Sequence, residues 1–211
     1  MRWRDFLCTV GEEPVFTTAL LLAGDVSPAT IHLQLSRWAK AGKVIPLRRG
    51  VYVLAEPYRK VSAHPFLLAN RLKRGSYVSL QSALAHYGTI PEYVPVVTSV
   101  TTGRPETVTS GVGTFSFRHI RTSLFTGYRR IEVAPRQFAM IATPEKGLLD
   151  LVYLTPEADR REYLGELRLQ HLDQLDMDAL SRLAYESGTP KLVRAAKRIA
   201  RFASETTYHA L

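Results

Sequence analysis

Three residues of the segment TPEKGLLD could serve a nuclease: Glu145, Lys146 and Asp150. Carboxylates can hold a divalent metal ion, and a lysine can stabilise negative charge on a phosphate. Such a site needs a separated aspartate followed by a Glu-x-Lys pair, and the segment lacks that spacing. Glu145 is also explained by its place in the first turn of a predicted helix, where the helix dipole stabilises a negative charge. We therefore expect that the protein is not an enzyme.

The histidines, the cysteine and the serines also lack the spacing of a catalytic or metal site. The six histidines form no HExxH motif and no paired metal-binding pattern. The single cysteine, Cys8, excludes an internal disulfide, fits a reducing compartment and is expected to be a small core residue. The sequence contains no nucleophile elbow and no glycine-rich phosphate loop. We expect no catalytic residue, no metal ligand and no cofactor.

Positive charge is concentrated in one part of the chain. The whole protein has 28 Lys+Arg and 19 Asp+Glu, a net charge of +9. This excess favours a polyanionic partner, either nucleic acid or an anionic membrane surface. Residues 27–60 contain seven of the basic residues and one acid, Glu56. A simple solvated hairpin does not explain this concentration, so double-stranded DNA is the expected partner.

A hairpin is predicted inside this basic segment, with Arg48, Arg49 and Gly50 at its turn. The flanking segments, Val44–Leu47 and Val51–Leu54, are apolar and rich in β-branched residues. Gly50 would let the chain reverse tightly and approach a partner closely. The two arginines would then lie over a sugar-phosphate backbone and neutralise phosphates.

The helix predicted ahead of the hairpin has two different faces. On a helical wheel, Ile31, Leu35 and Trp38 fall within one narrow arc, which predicts the buried side. The opposite arc and its flanks carry small, hydroxyl and cationic side chains and one leucine: Ala29, Thr30, His32, Leu33, Ser36, Arg37 and Lys40.

The outward leucine, Leu33, leaves two interpretations open. In one, it packs against another domain or lies exposed, as many leucines do. In the other, this face enters a DNA major groove, where Leu33 contacts a thymine methyl, Arg37 contacts a guanine edge or a phosphate, and the polar side chains contact bases or backbone. The order of helix, short turn, helix and hairpin favours the second interpretation.

A hydroxyl residue directly before a proline predicts four helix starts, near residues 28, 144, 156 and 190. The segments WRDFLCTV and PVFTTALLLAG, the latter closed by Gly24, predict two further helices before residue 28, and Gly42 ends the helix from 28. Three helices and a two-stranded hairpin predict a winged helix-turn-helix domain over residues 1–56. A connector over 57–65 follows.

The rest of the chain, residues 66–211, predicts an α+β domain. Helices are predicted for PFLLANRL and LQSALAHYG and from about residue 177, and four strands for VPVVTSVTT, GTFSFRHI, RRIEVA and QFAMIAT. The last helix, TPKLVRAAKRIARF, combines an apolar stripe with cations, which fits either a membrane or RNA surface or, as we favour, a docked helix with its cations in water. No apolar run is long enough to span a membrane, and acidic residues interrupt any signal peptide, so we expect a cytoplasmic protein without membrane contact.

Several of these segments in their order resemble the AbiEi family of antitoxins and transcriptional regulators. They are LSRWAKAGKVIPLRRGVYVL, HPFLLANRL, SYVSLQSALAHYGTIPEYVP, SVTTGR, FSFRHI and TPEKGLLDLVYL, most clearly within residues 15–155. The family belongs to type IV toxin–antitoxin systems of abortive infection. Arg48, Arg49 and Gly50 match its wing pattern.

The resemblance implies a winged helix-turn-helix that binds inverted repeats in the promoter of its own operon and represses transcription. It also implies a larger domain that counteracts a nucleotidyltransferase toxin without forming a stable complex with it. The alternatives are a stand-alone regulator without a toxin and a protein-interaction module whose winged helix binds protein.

Overall fold

The computed structural model describes residues 1–22 and 27–209, with side chains as far as residue 205. The protein is mixed α+β, with an N-terminal helical region followed by a larger sheet domain. The helices are α1 (Trp3–Val10), α2 (Thr18–Leu21), α3 (Pro28–Lys40), α4 (Pro65–Leu72), α5 (Leu80–His86), α6 (Pro144–Leu154), α7 (Arg161–Glu166), α8 (Met177–Glu186) and α9 (Pro190–His209). The strands are β1 (Phe16–Thr17), β2 (Val44–Arg48), β3 (Val51–Leu54), β4 (Ser76–Val78), β5 (Val96–Thr101), β6 (Glu106–Ser110), β7 (Gly113–His119), β8 (Tyr128–Ala134) and β9 (Gln137–Ala142).

The N-terminal region has the element order of a winged helix-turn-helix, with the wing formed by β2 and β3. The wing sheet has three strands rather than the predicted two, because β1 pairs with β3 in the antiparallel order β1-β3-β2. The helix predicted for PVFTTALLLAG is therefore wrong in its first half. Phe16 and Thr17 are extended, which suits an aromatic and a β-branched residue beside an open strand edge, and α2 covers Thr18–Leu21. The predicted stop at Gly24 lies outside the described residues.

An apolar core joins the three N-terminal helices to the wing sheet. It contains Phe6, Val10, Phe16, Leu21, Ile31, Leu35, Val44 and Leu54. Trp38 is half-buried beside this core, with ring centroids 4.5 Å from Phe6 and 4.9 Å from Trp3. The predicted buried side of α3 is therefore confirmed. Cys8, in contrast, is exposed, so its prediction as a core residue is wrong.

The larger domain is built on a six-stranded sheet in the order β6-β7-β5-β4-β9-β8. The pairs β5/β7 and β4/β9 are parallel, and the other neighbours are antiparallel. The four predicted strands are present, and β4 and β6 were not predicted. β4 has three residues and β6 reads ETVTS, so neither shows the length or the apolar content that marks a strand in a sequence.

Three of the four predicted helix starts are confirmed, at residues 28, 144 and 190. The fourth is wrong, because the helix after Thr155 and Pro156 begins at Arg161. Thr155 instead closes α6, with its N–H bonded to the Leu151 carbonyl. Glu157 has φ +55°, which no α-helix accommodates.

The last helix, α9, docks by its apolar stripe as favoured, with Leu192, Ala195, Ala196 and Ile199 buried. The cations of α9 were expected to lie in water, but three of them form hydrogen bonds within the protein. Arg194 Nε donates to Asp159 Oδ2 at 2.8 Å, Arg198 donates to the Asp159 carbonyl, and Lys191 Nζ donates to the Thr155 carbonyl at 2.5 Å. Among the described helices, none is both long and apolar enough to cross a membrane.

The wing and the connector are both attached to the larger domain. Leu47, Val51 and Val53 of the wing are buried in the larger core. Gln137 holds the connector, because its Oε1 accepts the His64 N–H at 2.8 Å and its Nε2 donates to the Ser62 carbonyl at 2.9 Å. The predicted linker of residues 57–65 therefore ends in a fixed position.

Candidate nucleic-acid interface

Helix α3 is defined at both ends by its sequence. The Ser27 hydroxyl accepts the Thr30 N–H at 3.4 Å and lies 2.9 Å from the Thr30 hydroxyl, and Pro28 opens the first turn. At the other end, Gly42 has φ +66°, and the Lys43 N–H donates to the Trp38 carbonyl at 2.9 Å. This is a Schellman motif, which stops the helix at the glycine.

The outward face of α3 is open to solvent. All seven residues predicted on it are exposed: Ala29, Thr30, His32, Leu33, Ser36, Arg37 and Lys40. Leu33 is 53% exposed, so it does not pack against the larger domain. Within the described part of the chain, neither Arg37 nor Lys40 has a carboxylate at ion-pair distance. The face therefore presents two exposed cations beside small and hydroxyl side chains.

The wing turn is fixed by its glycine and by α2. Gly50 has φ +81°, which favours glycine. Its carbonyl accepts the Thr18 N–H at 3.1 Å, and a Cβ at this position would lie 3.2 Å from the Thr18 hydroxyl. Arg49 is exposed. The turn thus holds the start of α2 and directs one arginine into solvent.

The other wing arginine, Arg48, faces the larger domain. Its guanidinium donates to the Leu72 carbonyl, and its Nη1 lies 3.9 Å from Glu106 Oε1. Lys73 Nζ donates to the same Glu106 oxygen at 2.5 Å. The hydrogen bond from Lys73 lowers the pKa of Glu106 below its ordinary value, with burial opposing and the charges of Lys73 and Arg48 adding to the effect. Arg48 thus joins the wing to the larger domain, although 41% of its side chain is still accessible.

A cavity of about 420 Å³ opens between the wing, the start of α2 and α4. Four arginines line it: Arg48, Arg49, Arg71 and Arg74. Among the described residues, no carboxylate lines it, and the remaining polar groups include Thr17, Thr18 and Asn70. A cavity with several guanidinium groups and no acid is suited to phosphate oxygens.

A second cavity of about 360 Å³ continues the basic surface past α4. Arg71 lines both cavities, and Arg130 and Arg136 of the β8–β9 hairpin line the second, together with one acid, Glu13. The Arg130 guanidinium lies 3.7 Å from the centroid of the exposed Phe138 ring. We call the two cavities together the arginine groove, defined by Arg48, Arg49, Arg71, Arg74, Arg130 and Arg136.

Four of these six arginines were not among the predicted site residues. Arg71 and Arg74 belong to RLKRGS at the end of α4, and Arg130 and Arg136 belong to RRIEVAPRQ around a hairpin turn. Both short basic clusters flank turns, which is the signal that could have identified them. Their common position depends on the packing of α4 between the wing and the β8–β9 hairpin.

The three residues considered for a nuclease are buried, with Glu145 6%, Lys146 4% and Asp150 1% exposed. Lys146 and Asp150 form an ion pair one turn apart, and the Tyr77 and Ser79 hydroxyls donate to Asp150 Oδ2 at 3.0 and 2.7 Å. Glu145 Oε1 accepts the Asp176 N–H at 3.0 Å. Each of the three charges therefore has an internal partner, as burial requires. Over residues 1–22 and 27–209, no group of three or more His, Cys, Asp or Glu could hold a metal ion.

Comparison with known proteins gives matches to solved structures but none to a protein family. No protein-family model matches the chain, and no curated protein matches its sequence. The crystal structure of the RV2827C protein from Mycobacterium tuberculosis is similar, with a TM-score of 0.53 over 95% of this chain and 80% of that chain. The two sequences are 15% identical, so the similarity concerns the fold alone.

Proposed function

We propose that the protein is a sequence-specific DNA-binding transcriptional repressor. In this proposal α3 enters the major groove with its exposed face, and Arg37 and Leu33 contact base edges. Arg49 and the arginine groove contact the sugar-phosphate backbone beside it. The observation that carries the proposal is the pairing of an exposed α3 face, which bears Arg37 and Lys40, with an adjacent groove lined by arginines.

The geometry of α2 supports a common DNA-facing surface. Helix α2 packs on α3, and its first residues, Thr18 and Ala19, line the arginine groove. A duplex that placed α3 in its major groove would therefore bring phosphates toward Arg49, Arg71 and Arg74. Arg48 takes part only if it leaves the Leu72 carbonyl, so we assign it to the wing–domain contact first and to phosphate second.

The resemblance to AbiEi regulators extends this proposal to a biological role. It would make the protein a cytoplasmic antitoxin that represses its own operon at inverted repeats and opposes a nucleotidyltransferase toxin without binding it tightly. The larger domain would carry the antitoxin activity.

A protein-interaction module is the second candidate. Leu20, Leu22 and Leu33 are exposed in the helix-turn-helix, with accessible fractions of 41%, 37% and 53%. Exposed leucines on neighbouring elements are more typical of a surface that binds a protein than of a surface that binds phosphates. Salt separates the two candidates, because DNA binding through Z phosphates weakens with a slope of about −0.9Z in log K against log salt.

The test uses the DNA upstream of the protein's own gene. Footprinting should show a protected region, and a fluorescent fragment of that region should bind more tightly than a scrambled fragment of equal length. Equal affinity for the two fragments at every salt concentration would show that the protein binds DNA without sequence preference, through its positive charge alone. Absence of binding in dilute buffer would reject the proposal in favour of the protein-interaction module.

A further inference from the structure

A cavity of about 590 Å³ lies beside the N-terminus of α4, apart from the arginine groove. Its wall is largely apolar and includes Phe66, Val97 and Phe115. His64, His86 and Tyr93 provide aromatic edges with polar atoms. Small-molecule sites in proteins have volumes of this order, with an apolar wall and a few polar groups.

The hydrogen bonds of His64 define what the cavity offers to a ligand. Its Nδ1 accepts the Phe66 N–H at 3.2 Å, so this nitrogen carries no proton and caps α4. The proton of the neutral ring is then on Nε2, which has no hydrogen-bond partner among the described residues and can donate to a ligand. Burial, and secondarily the nearby His86, lower the pKa of His64, consistent with a neutral ring. The cavity thus offers the His64 N–H donor, together with the ring nitrogens of His86 and the hydroxyl of Tyr93, beside an aromatic wall.

Two other polar residues of the cavity, Glu92 and Ser82, already have partners. Glu92 accepts hydrogen bonds from Arg168 Nε, at 3.1 Å, and from Arg168 Nη2, so its charge is balanced. The Ser82 hydroxyl donates to the Val96 carbonyl at 3.2 Å and accepts the Thr98 N–H at 2.8 Å. No unbalanced charge faces the cavity from these residues, so its chemistry suits a neutral ligand.

One wall of the cavity belongs to the β6–β7 hairpin, which also contacts the wing. Val112 and Gly113 line the cavity. A Cβ on the preceding Gly111 would lie 3.6 Å from Cγ2 of Ile45 on β2. At the other end of β6, Glu106 faces Arg48. A ligand in the cavity would therefore lie against the hairpin that supports the wing at two points.

We propose that this cavity binds a neutral, planar, ring-containing small molecule with a carbonyl acceptor, an effector whose binding changes the affinity of the wing for DNA. The carbonyl accepts the His64 Nε2–H, and the ring packs on Phe66 and Val97, with Tyr93 at the rim. The proposed ligand site does not depend on the proposed DNA-binding function, whereas the effector role does depend on that function.

The test measures binding of a fluorescent probe of this class, 7-amino-4-methylcoumarin, to the full-length protein without DNA. A saturable change in fluorescence is expected in the wild type in the millimolar range or below. Two variants fill the cavity from different elements, Ala85→Trp on α5 and Val112→Trp on the hairpin. Both should weaken probe binding at least tenfold. His64→Asn, which keeps a capping acceptor but removes the imidazole donor, should also weaken it.

The matched control is Thr107→Trp, an exposed position on β6 outside the cavity. It should bind the probe like the wild type, and a melting curve for each variant checks that it folds. If the folded filling variants bind the probe as well as the wild type, or if the wild type does not bind it saturably, the site is rejected.

The effector role is tested by titrating the upstream DNA fragment with and without saturating probe. A change in DNA affinity of at least twofold, absent in Val112→Trp, is expected. Unchanged DNA affinity would reject the effector role and leave the binding site. Probe binding without any DNA binding would reject the proposed function and, with it, the effector role, again leaving the binding site.

Discussion

Arg48 Nη1 at the end of the first wing strand lies 3.9 Å from the Glu106 carboxylate at the start of β6, in the larger domain. The same carboxylate is bonded to Lys73 at the end of α4. One acidic side chain thus joins the wing, a helix and the edge of the six-stranded sheet. These contacts hold the wing arginines in position relative to the arginines that the larger domain contributes to the arginine groove.

The stability of the protein should depend on the ionisation of Glu106. Because its pKa is lowered in the folded state, the ionised carboxylate stabilises the fold above its unfolded pKa, and this contribution is lost as the pH falls through the lowered value. Glu106→Gln should reduce the free energy of unfolding at neutral pH, and its difference from the wild type should disappear in acid. Urea unfolding at several pH values measures this.

The control for that experiment is Glu166→Gln, at an exposed glutamate of α7. Its difference from the wild type should be small at every pH, as for ordinary surface substitutions. A Glu106→Gln difference that stays constant down to pH 3 would show that the carboxylate charge contributes nothing to the wing contact.

Arg37→Ala tests base recognition by α3. Loss of a side chain that contacts a guanine edge should cost about 1–3 kcal/mol at the operator and relax the base preference at one position. The control is Arg182→Ala, an exposed arginine of α8 that should leave the affinity unchanged. Retained sequence preference after replacement of both Arg37 and Leu33 would mean that another face reads the DNA.

Arg49→Ala and Arg71→Ala test the arginine groove. Each should weaken binding to all DNA sequences to a similar extent and make the slope of log K against log salt shallower by about 0.9. Arg48→Ala should have a smaller effect on the slope, since its guanidinium is bonded to the Leu72 carbonyl. Fluorescence anisotropy measures the affinities. If Arg48→Ala lowers the DNA affinity and the salt slope more than Arg49→Ala does, Arg48 is the main phosphate contact of the wing.

Trp38→Ala tests the register of α3. The indole packs on Trp3 and Phe6, and its removal should cost about 3–5 kcal/mol, a large part of the stability of a small domain. Because Trp38 is half-buried, the lower end of this range is expected. Chemical unfolding measures the loss, and Gln34→Ala on a neighbouring half-buried position of the same helix should cost much less.

The sequence predicted the elements whose signals are local. Ser27-Pro28 and Thr143-Pro144 start helices because the hydroxyl caps the first turn, and the spacing of Ile31 and Leu35 predicts which side of α3 is buried. Thr155-Pro156 shows the limit of this signal. There the same dipeptide closes α6, and the chain turns through a positive φ at Glu157 before α7 begins.

Features that depend on distant parts of the chain could not be predicted in this way. The sequence around Arg48 gives no indication that Glu106 is its partner, so a phosphate contact was expected for this arginine instead. β4 is three residues long and gains its strand conformation from β5 and β9, which border it. The arginine groove likewise combines the ends of α4, the wing and the β8–β9 hairpin, which only the tertiary structure brings together.

In the proposed complex, the exposed side of α3 and the arginine groove bind one duplex together. The most direct measurement of this arrangement is the affinity of the Arg37→Ala, Arg71→Ala and double variants for upstream and scrambled DNA as salt is raised. We expect Arg71→Ala to weaken binding to both DNAs, Arg37→Ala to weaken binding to the upstream DNA selectively, and the double variant to show both losses. Two results would contradict the proposed complex: variants that bind both DNAs with wild-type affinity, or a wild-type protein that binds neither DNA in dilute buffer.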